Sequence, residues 1–215
     1  MDGKFKMLLA NLGKRPVVQH SLMNDGGLRE HNLLMITEPS CFRNQEGRTI
    51  AAPTHHPFWV QYLPTTTSTE GVFPVRTMIY VGKGQQFKQI PVESPNVTAV
   101  VIKRRTFPII AITAYIPPLD QAARQRIVRL IRHTFEQHGL DCEVLVAGDF
   151  NHHNQLWGGD EVALSPCQGE AQELVDLIIE LDWTSLLQRG TLTFEGAQGE
   201  STIDLVLANQ CWRKQ

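Results

Sequence analysis

The sequence predicts an α/β fold: a two-layer sandwich of mixed β-sheets packed face to face, with helices on the outside. Three observations carry this. Short apolar runs stopped by turn residues dominate the chain. Amphipathic helical stretches are inserted singly among them, not in regular strand–helix alternation, which disfavours a doubly wound parallel sheet. Val144-Leu145-Val146-Ala147 is apolar at every position, as suits a strand covered on both faces.

In chain order, residues 5–10 read as a first buried strand ending at Asn11. Residues 16–23 fit a short helix with Pro16 in its first turn, where a missing N–H is tolerated. Residues 33–36 form a second strand, ending at Glu38 and stopped by Pro39. Residues 64–71, rich in Thr and Ser, form a surface loop. Residues 75–81 form a strand closed by Gly82-Lys83-Gly84. Residues 97–102 and 109–115 are rich in β-branched residues and make a hairpin around Lys103-Arg104-Arg105. Pro117-Pro118 then ends the strand, and Asp120 caps a helix. Ile127, Leu130, Ile131 and Phe135 share one face of it, Arg124, Arg126, Arg129 and Arg132 take other positions, and Gly139 stops it. A second amphipathic helix runs from about residue 170 to 181, burying Leu174, Val175, Ile178 and Leu181. Strands near residues 191–194 and 201–207 follow.

The 215 residues suit one domain, 1–215, and a hydrophobic share of 42% supplies a real core. A net charge of -2 argues against coating nucleic acid by bulk charge but leaves room for a local basic patch. Lys103-Arg104-Arg105 and the arginines of the first long helix suit either a nucleic-acid backbone or a solvated face. No window of ~20 apolar residues offers a membrane span. The start lacks the basic and apolar regions of a secretory signal. Cys41, Cys142, Cys167 and Cys211 form no zinc-ligand spacing and read as reduced thiols of an intracellular protein.

Polar residues recur where apolar strands end: Asn11, Glu38, Tyr115, Asp149 with Asn151, and Asp204. Strands ending on one edge of a sandwich bring such groups together from distant parts of the chain. Carboxylate and amide oxygens are the donors that Mg²⁺ or Mn²⁺ prefers, and such an ion offsets charge as a phosphodiester is attacked. Each residue also has an ordinary use. An Asp-x-Asn after a strand makes an Asx-turn, and Glu38 caps a strand before proline.

Ile36-Thr37-Glu38-Pro39, Ala114-Tyr115-Ile116-Pro117-Pro118, Gly148-Asp149-Phe150-Asn151 and Ser201-Thr202-Ile203-Asp204-Leu205-Val206 occur in the order of the endonuclease/exonuclease/phosphatase superfamily, which the chain resembles from Leu8 to Ala208. The extension His152-His153-Asn154-Gln155-Leu156-Trp157-Gly158-Gly159, with Val75-Arg76-Thr77-Met78, resembles the endonuclease domain of non-LTR retrotransposons more specifically. The resemblance implies a DNase I-like fold. It implies Glu38 and Asn11 as metal ligands, with Tyr115, Asp149, Asn151 and Asp204 as catalytic groups. Arg76, His153 and Thr193 are implied as phosphate or DNA contacts; Thr193 also suits a bond to a neighbouring site residue, and His153 an orienting role for the loop that carries Trp157. The superfamily's closing motif is Ser-Asp-His, yet this sequence has no Asp-His dipeptide, and eleven residues follow Asp204. The expectation is therefore a C-terminally incomplete domain, its last strand or strands missing, with one sheet edge left open.

The function so implied is Mg²⁺-dependent (or Mn²⁺-dependent) DNA nicking, by a domain whose parent polyprotein carries a linked reverse transcriptase, acting in the nucleus and not at a membrane. The alternatives are a weak or inactive remnant of that domain, and a phosphatase or phospholipase of the same superfamily.

Overall fold

The computed structural model describes residues 4–51, 55–69, 73–139, 141–160, 162, 171–196 and 199–209. The chain runs β1 (Met7–Asn11), α1 (Pro16–Asn24), a 3-10 turn (Gly26–Glu30), β2 (Leu33–Thr37), β3 (Cys41–Arg43), β4 (Thr49–Ala51), β5 (Trp59–Tyr62) and β6 (Thr77–Gly82). It continues through β7 (Gln86–Ile90), β8 (Val97–Lys103), β9 (Ile109–Tyr115), α2 (Gln121–His138), β10 (Glu143–Asp149) and α3 (Gln155–Gly158). Then come α4 (Gln172–Glu180), β11 (Thr184–Ser185), β12 (Phe194–Gly196), β13 (Gly199–Ser201) and β14 (Asp204–Ala208).

Two sheets form the centre. One has the order β1-β2-β6-β5 and the other β11-β14-β10-β9-β8-β7. Both are mixed: β1 pairs in parallel with β2, and β9 with β10, while the remaining pairs are antiparallel. Strand side chains alternate between faces, so each strand contributes to two apolar layers. Leu33, Met35, Ile79 and Val81 meet Val100, Ile102, Ile109, Ala111, Leu145, Ala147 and Val206 between the sheets. The intervening residues face outward. Leu34, Ile36, Met78 and Tyr80 pack with Leu12 and with Met23 of α1. Ile110, Ile112, Val144, Val146, Leu205 and Leu207 pack with Ile127, Val128 and Ile131 of α2 and Leu174, Leu177 and Ile178 of α4. The sandwich with outer helices that the sequence predicts is therefore the architecture, with helices covering both outer faces.

Local chemistry fixes the helix ends. Asp120 caps α2 by accepting from Ala123 N, and Gly139 N returns to Phe135 O at its other end. Asn154 caps α3 through Leu156 N. The second long helix begins at Gln172 and buries Leu177 in place of Val175, which is half-buried. Position 170, Cys167 and Cys211 lie outside the described residues, whereas Cys41 and Cys142 are free thiols. Strands β3, β4, β5, β7 and β11 carry no long apolar run. They are two to five residues long, and β7 is an edge strand that alternates exposed Gln86 and Lys88 with Phe87 and Gln89. Residues 191–193 precede the strand expected there, which starts at Phe194.

The arginines of α2 are not a uniform solvated face. Arg124 is buried, its Nε donating to Glu173 of α4 at 2.8 Å and its Nη1 lying 2.6 Å from His152 Nε2. His152 Nδ1 faces the Phe150 carbonyl, so the ring carries its proton there and accepts from Arg124 through Nε2. Trp157 Nε1 donates to His152 O. Arg132 pairs with Glu180 at 2.7 Å. The helices of the outer layer are thus bolted to one another and to the segment that follows β10. Arg104 of the basic hairpin is also committed, to buried Glu143 at 3.2 Å.

Gly148 has a steric reason to be glycine. A Cβ there would meet Ala114 O of the neighbouring parallel strand at 1.8 Å. Gly148→Ala is therefore expected to cost roughly 3 kcal/mol or more, a fall in Tm on the order of 10 °C. Near wild-type melting would show that β10 and β9 are not so closely apposed. Arg124→Ala removes the guanidinium that joins His152 and Glu173 and should cost about 3 kcal/mol, the low end for a broken buried pair because the Glu173 side chain is 34% exposed and keeps its bond from Gln125. Thermal unfolding checks both.

Candidate active site

The inward-facing rows of the two sheets end in polar residues at one edge. Register aligns Asn11, Thr37 and Thr77 across the first sheet. In the second it aligns Tyr115, Asp149 and Asp204. Because residues two positions along a strand share a face, the apolar pairs Leu9 and Met35, Leu145 and Ala147 continue directly into these groups. Asn11 Nδ2 donates to Asp149 Oδ2 at 2.9 Å, joining the sheets across 138 residues of chain. Thr77 Oγ1 and Thr98 Oγ1 meet at 2.8 Å and join them again.

Loop geometry places the rest. Leu12 N and Lys14 N donate to Thr37 O and Glu38 O, and Glu38 N donates to Arg76 O. The ends of β1 and β2 and the start of β6 are thereby stitched around Glu38. Glu38 and Asn151 both adopt left-handed backbone, with φ of 47° and 50°, a conformation that costs non-glycine residues and clusters at functional sites. Glu38 Oε1 lies 2.6 Å from Lys14 Nζ and 3.5 Å from Arg76 Nη1. The Tyr115 hydroxyl bonds the same carboxylate. Asn151 N donates to Asp149 Oδ1 at 3.1 Å, and its amide donates to Ile116 O at 3.0 Å. Thr193 Oγ1 accepts from Ile203 N and Asp204 N and bonds the Asp204 carboxyl. Its hydroxyl serves Asp204 directly. His153, half-buried, follows Asn151 by two positions. Among the described residues it makes no hydrogen bond to the cluster. Lys14 and Phe73, whose ring lies 5.2 Å from Lys14 Nζ and 5.8 Å from Arg76 Cζ, join the site without having been anticipated.

Burial dominates the electrostatics. It raises the Asp149 carboxyl to about 7, helped by the charges of Asp204 and Glu38 and opposed by hydrogen bonds from Asn151. Asp204 is raised to about 6 by burial, opposed by the Thr193 bond. Tyr115 is raised to about 12 by burial and by the Glu38 and Asp149 carboxylates, so its hydroxyl stays protonated as a donor. Asp204 Oδ1, Thr37 Oγ1 and Thr113 Oγ1 are buried without a hydrogen-bond partner among the described residues. Asp204 lies at the end of a cleft lined by Met7, Leu9, Asn11, Leu187, Thr193 and Val206.

The donor set suits a hard cation. All candidate ligands offer oxygen, and a buried carboxylate oxygen of Asp204 lacks a partner. Among the described residues, no three His, Cys, Asp or Glu side chains gather as a closed metal cage.

Asp149 and Asp204 make stability depend on pH with a defined sign. Their folded-state affinities for protons exceed the unfolded value of 3.8, so the stability they contribute is complete below about pH 4 and is lost as pH rises through about 6 and 7. The Tm of the metal-free protein should therefore fall between about pH 4 and pH 7. Asp204→Asn should flatten that fall and raise Tm at the upper end by roughly 2–4 °C for each kcal/mol recovered. A Tm that is constant or rises over this range would contradict the buried-pair geometry.

A family model described as endonuclease-reverse transcriptase matches residues 109–215. No curated protein matches the chain. Among solved structures, the endonuclease domain of TRAS1, a telomere-specific non-LTR retrotransposon, has a TM-score of 0.77 at 17% identity, over 98% of this chain and 88% of that one. Beta toxin from Staphylococcus aureus has a TM-score of 0.62 at 12% identity, over 96% and 86%. TDP2 from D. rerio, complexed with a single-strand DNA product, has 0.57 at 12%, over 97% and 84%. At these identities the structures establish the fold, and the sequence model and ordered motifs add the lineage. The chain is a member of the endonuclease/exonuclease/phosphatase superfamily, with its nuclease and phosphodiesterase fold, and within it resembles the endonuclease domain of non-LTR retrotransposons.

Proposed function

We propose that this chain is a divalent-cation-dependent DNA endonuclease, the nicking domain of a non-LTR retroelement whose parent polyprotein carries a reverse transcriptase. Its target would be nuclear DNA. The observation that carries this reading is the convergence of Glu38, Tyr115, Asp149 and Asp204 at one strand edge, with Asp149 proton affinity near neutrality. A carboxyl that exchanges its proton near pH 7 is suited to general acid–base work on water and a leaving oxygen.

Glu38, with Asn11 beside it, would hold Mg²⁺, which when bound offsets charge on the phosphodiester. Asn11 and the Asn151 backbone hold Asp149 by hydrogen bonds to its two oxygens. In that position it would orient water opposite the leaving oxygen, or return a proton to that oxygen. Asn151 and Tyr115 would present amide and hydroxyl donors to the phosphate, and Arg76 a cation. Water would add to phosphorus, the bond from phosphorus to the 3′ oxygen would break, and a 3′ hydroxyl would remain.

A second reading is favoured by one observation. Asp204 Oδ1 is buried without a hydrogen-bond partner among the described residues. Under that reading the chain folds and binds cation or DNA with little turnover.

A nicking assay on supercoiled plasmid separates the two. The enzyme reading expects Mg²⁺-dependent conversion to open circles, abolished by EDTA. It also expects nicking reduced roughly 10²–10⁴-fold in Asp149→Asn and lost in Glu38→Ala. Folded, cation-binding protein that leaves the plasmid intact would favour the remnant.

A further inference from the structure

Glu38 is surrounded by more positive charge than one carboxylate needs. Lys14 Nζ lies 2.6 Å and Arg76 Nη1 3.5 Å from the same oxygen. Lys14 is not a casual surface pairing. It follows Gly13, both residues have left-handed backbone at φ of 60° and 53°, and Lys14 N is anchored on Glu38 O at 2.8 Å. The Phe73 ring supports the ammonium at 5.2 Å, and the side chain is 28% exposed. The tight turn after β1 thus delivers a cation onto the carboxylate best placed for a metal ion. A divalent cation and an ammonium cannot both take that oxygen at close range without strong repulsion.

We propose that Lys14 is an exchangeable counterion: its ammonium pairs with Glu38 in the cation-free protein, yields to a divalent cation, and then binds a phosphate of the nucleic-acid strand. This rests on the nuclease reading above and assigns Lys14, with Phe73 as its support, to substrate binding. The exchange keeps the buried carboxylates partly neutralised before metal arrives. It also couples the two ligands, because cation binding frees the group that grips the backbone.

Two measurements on the intact chain test it. Mn²⁺ alone is titrated into wild type, Lys14→Met and Glu38→Ala, followed by electron paramagnetic resonance. Lys14→Met should bind Mn²⁺ roughly five- to tenfold more tightly, having lost a close competing charge. Affinity for a short fluorescent DNA duplex is then measured in Mn²⁺ across salt concentrations, before nicks accumulate. Lys14→Met should lower the salt slope by about one, as loss of one phosphate contact does, and Lys14→Arg should restore it. Unchanged or weaker Mn²⁺ binding by Lys14→Met, alongside wild-type binding that Glu38→Ala abolishes, would overturn the exchange while leaving the metal reading intact. An unchanged salt slope would overturn the phosphate role. Mn²⁺ binding that Glu38→Ala leaves intact, or no binding by wild type, would overturn the metal reading and this inference together.

Discussion

The site depends on one geometric constraint: two sheets packed face to face must end their shared apolar layer at the same level. The inner rows run through Leu33, Met35, Ile79, Ala111, Leu145 and Ala147 and then change to Thr37, Thr77, Thr113 and Asp149 within one strand step. The Asn11–Asp149 hydrogen bond closes the gap and fixes the separation of the sheets where it matters. A slip of one residue in β10 would turn Asp149 into the helix layer and bring Gly148 inward. The absence of a Cβ at Gly148 permits the close approach of β10 and β9, since one there would meet Ala114 O at 1.8 Å.

The electrostatics follow from the same packing. Asp149 and Asp204 face each other across an antiparallel pair at the mouth of a dry layer, and both become reluctant to ionise. Glu38 has Lys14 and Arg76 against it, and so supplies the part-buried, charge-compensated carboxylate. One end of the sandwich thus offers a carboxylate suited to a cation beside one suited to moving a proton. The outer layer contributes by rigidity. The Arg124–His152 and Trp157–His152 bonds hold the segment after Asp149 to α2, which explains why His152 and Trp157 accompany the Gly-Asp-Phe-Asn run.

Much of this was legible in the sequence. The strands that line the inter-sheet core are runs of branched apolar residues, and each candidate ligand falls where such a run stops. The short strands β3, β4, β5 and β11 were not legible, because they contain too few residues for a period to emerge. Arg124 reads as one of four helix-surface arginines, and only the approach of α4 and of His152 makes it buried. Thr193 had two open uses, and contact with the start of β14 commits its hydroxyl to Asp204. Lys14 was missed because a lysine in a turn carries no signal of its own. Its position against Glu38 comes from two left-handed residues and a backbone bond between loops 24 residues apart.

The central claim is that this strand edge hydrolyses a phosphodiester by addition of water and departure of the 3′ oxygen. The chemistry of the nick it leaves tests this most directly. Plasmid nicked in Mg²⁺ should be extended at once by a DNA polymerase, without prior phosphatase treatment, because each nick ends in a 3′ hydroxyl. Nicks that accept nucleotides only after dephosphorylation, or that form equally well in EDTA, would contradict the account.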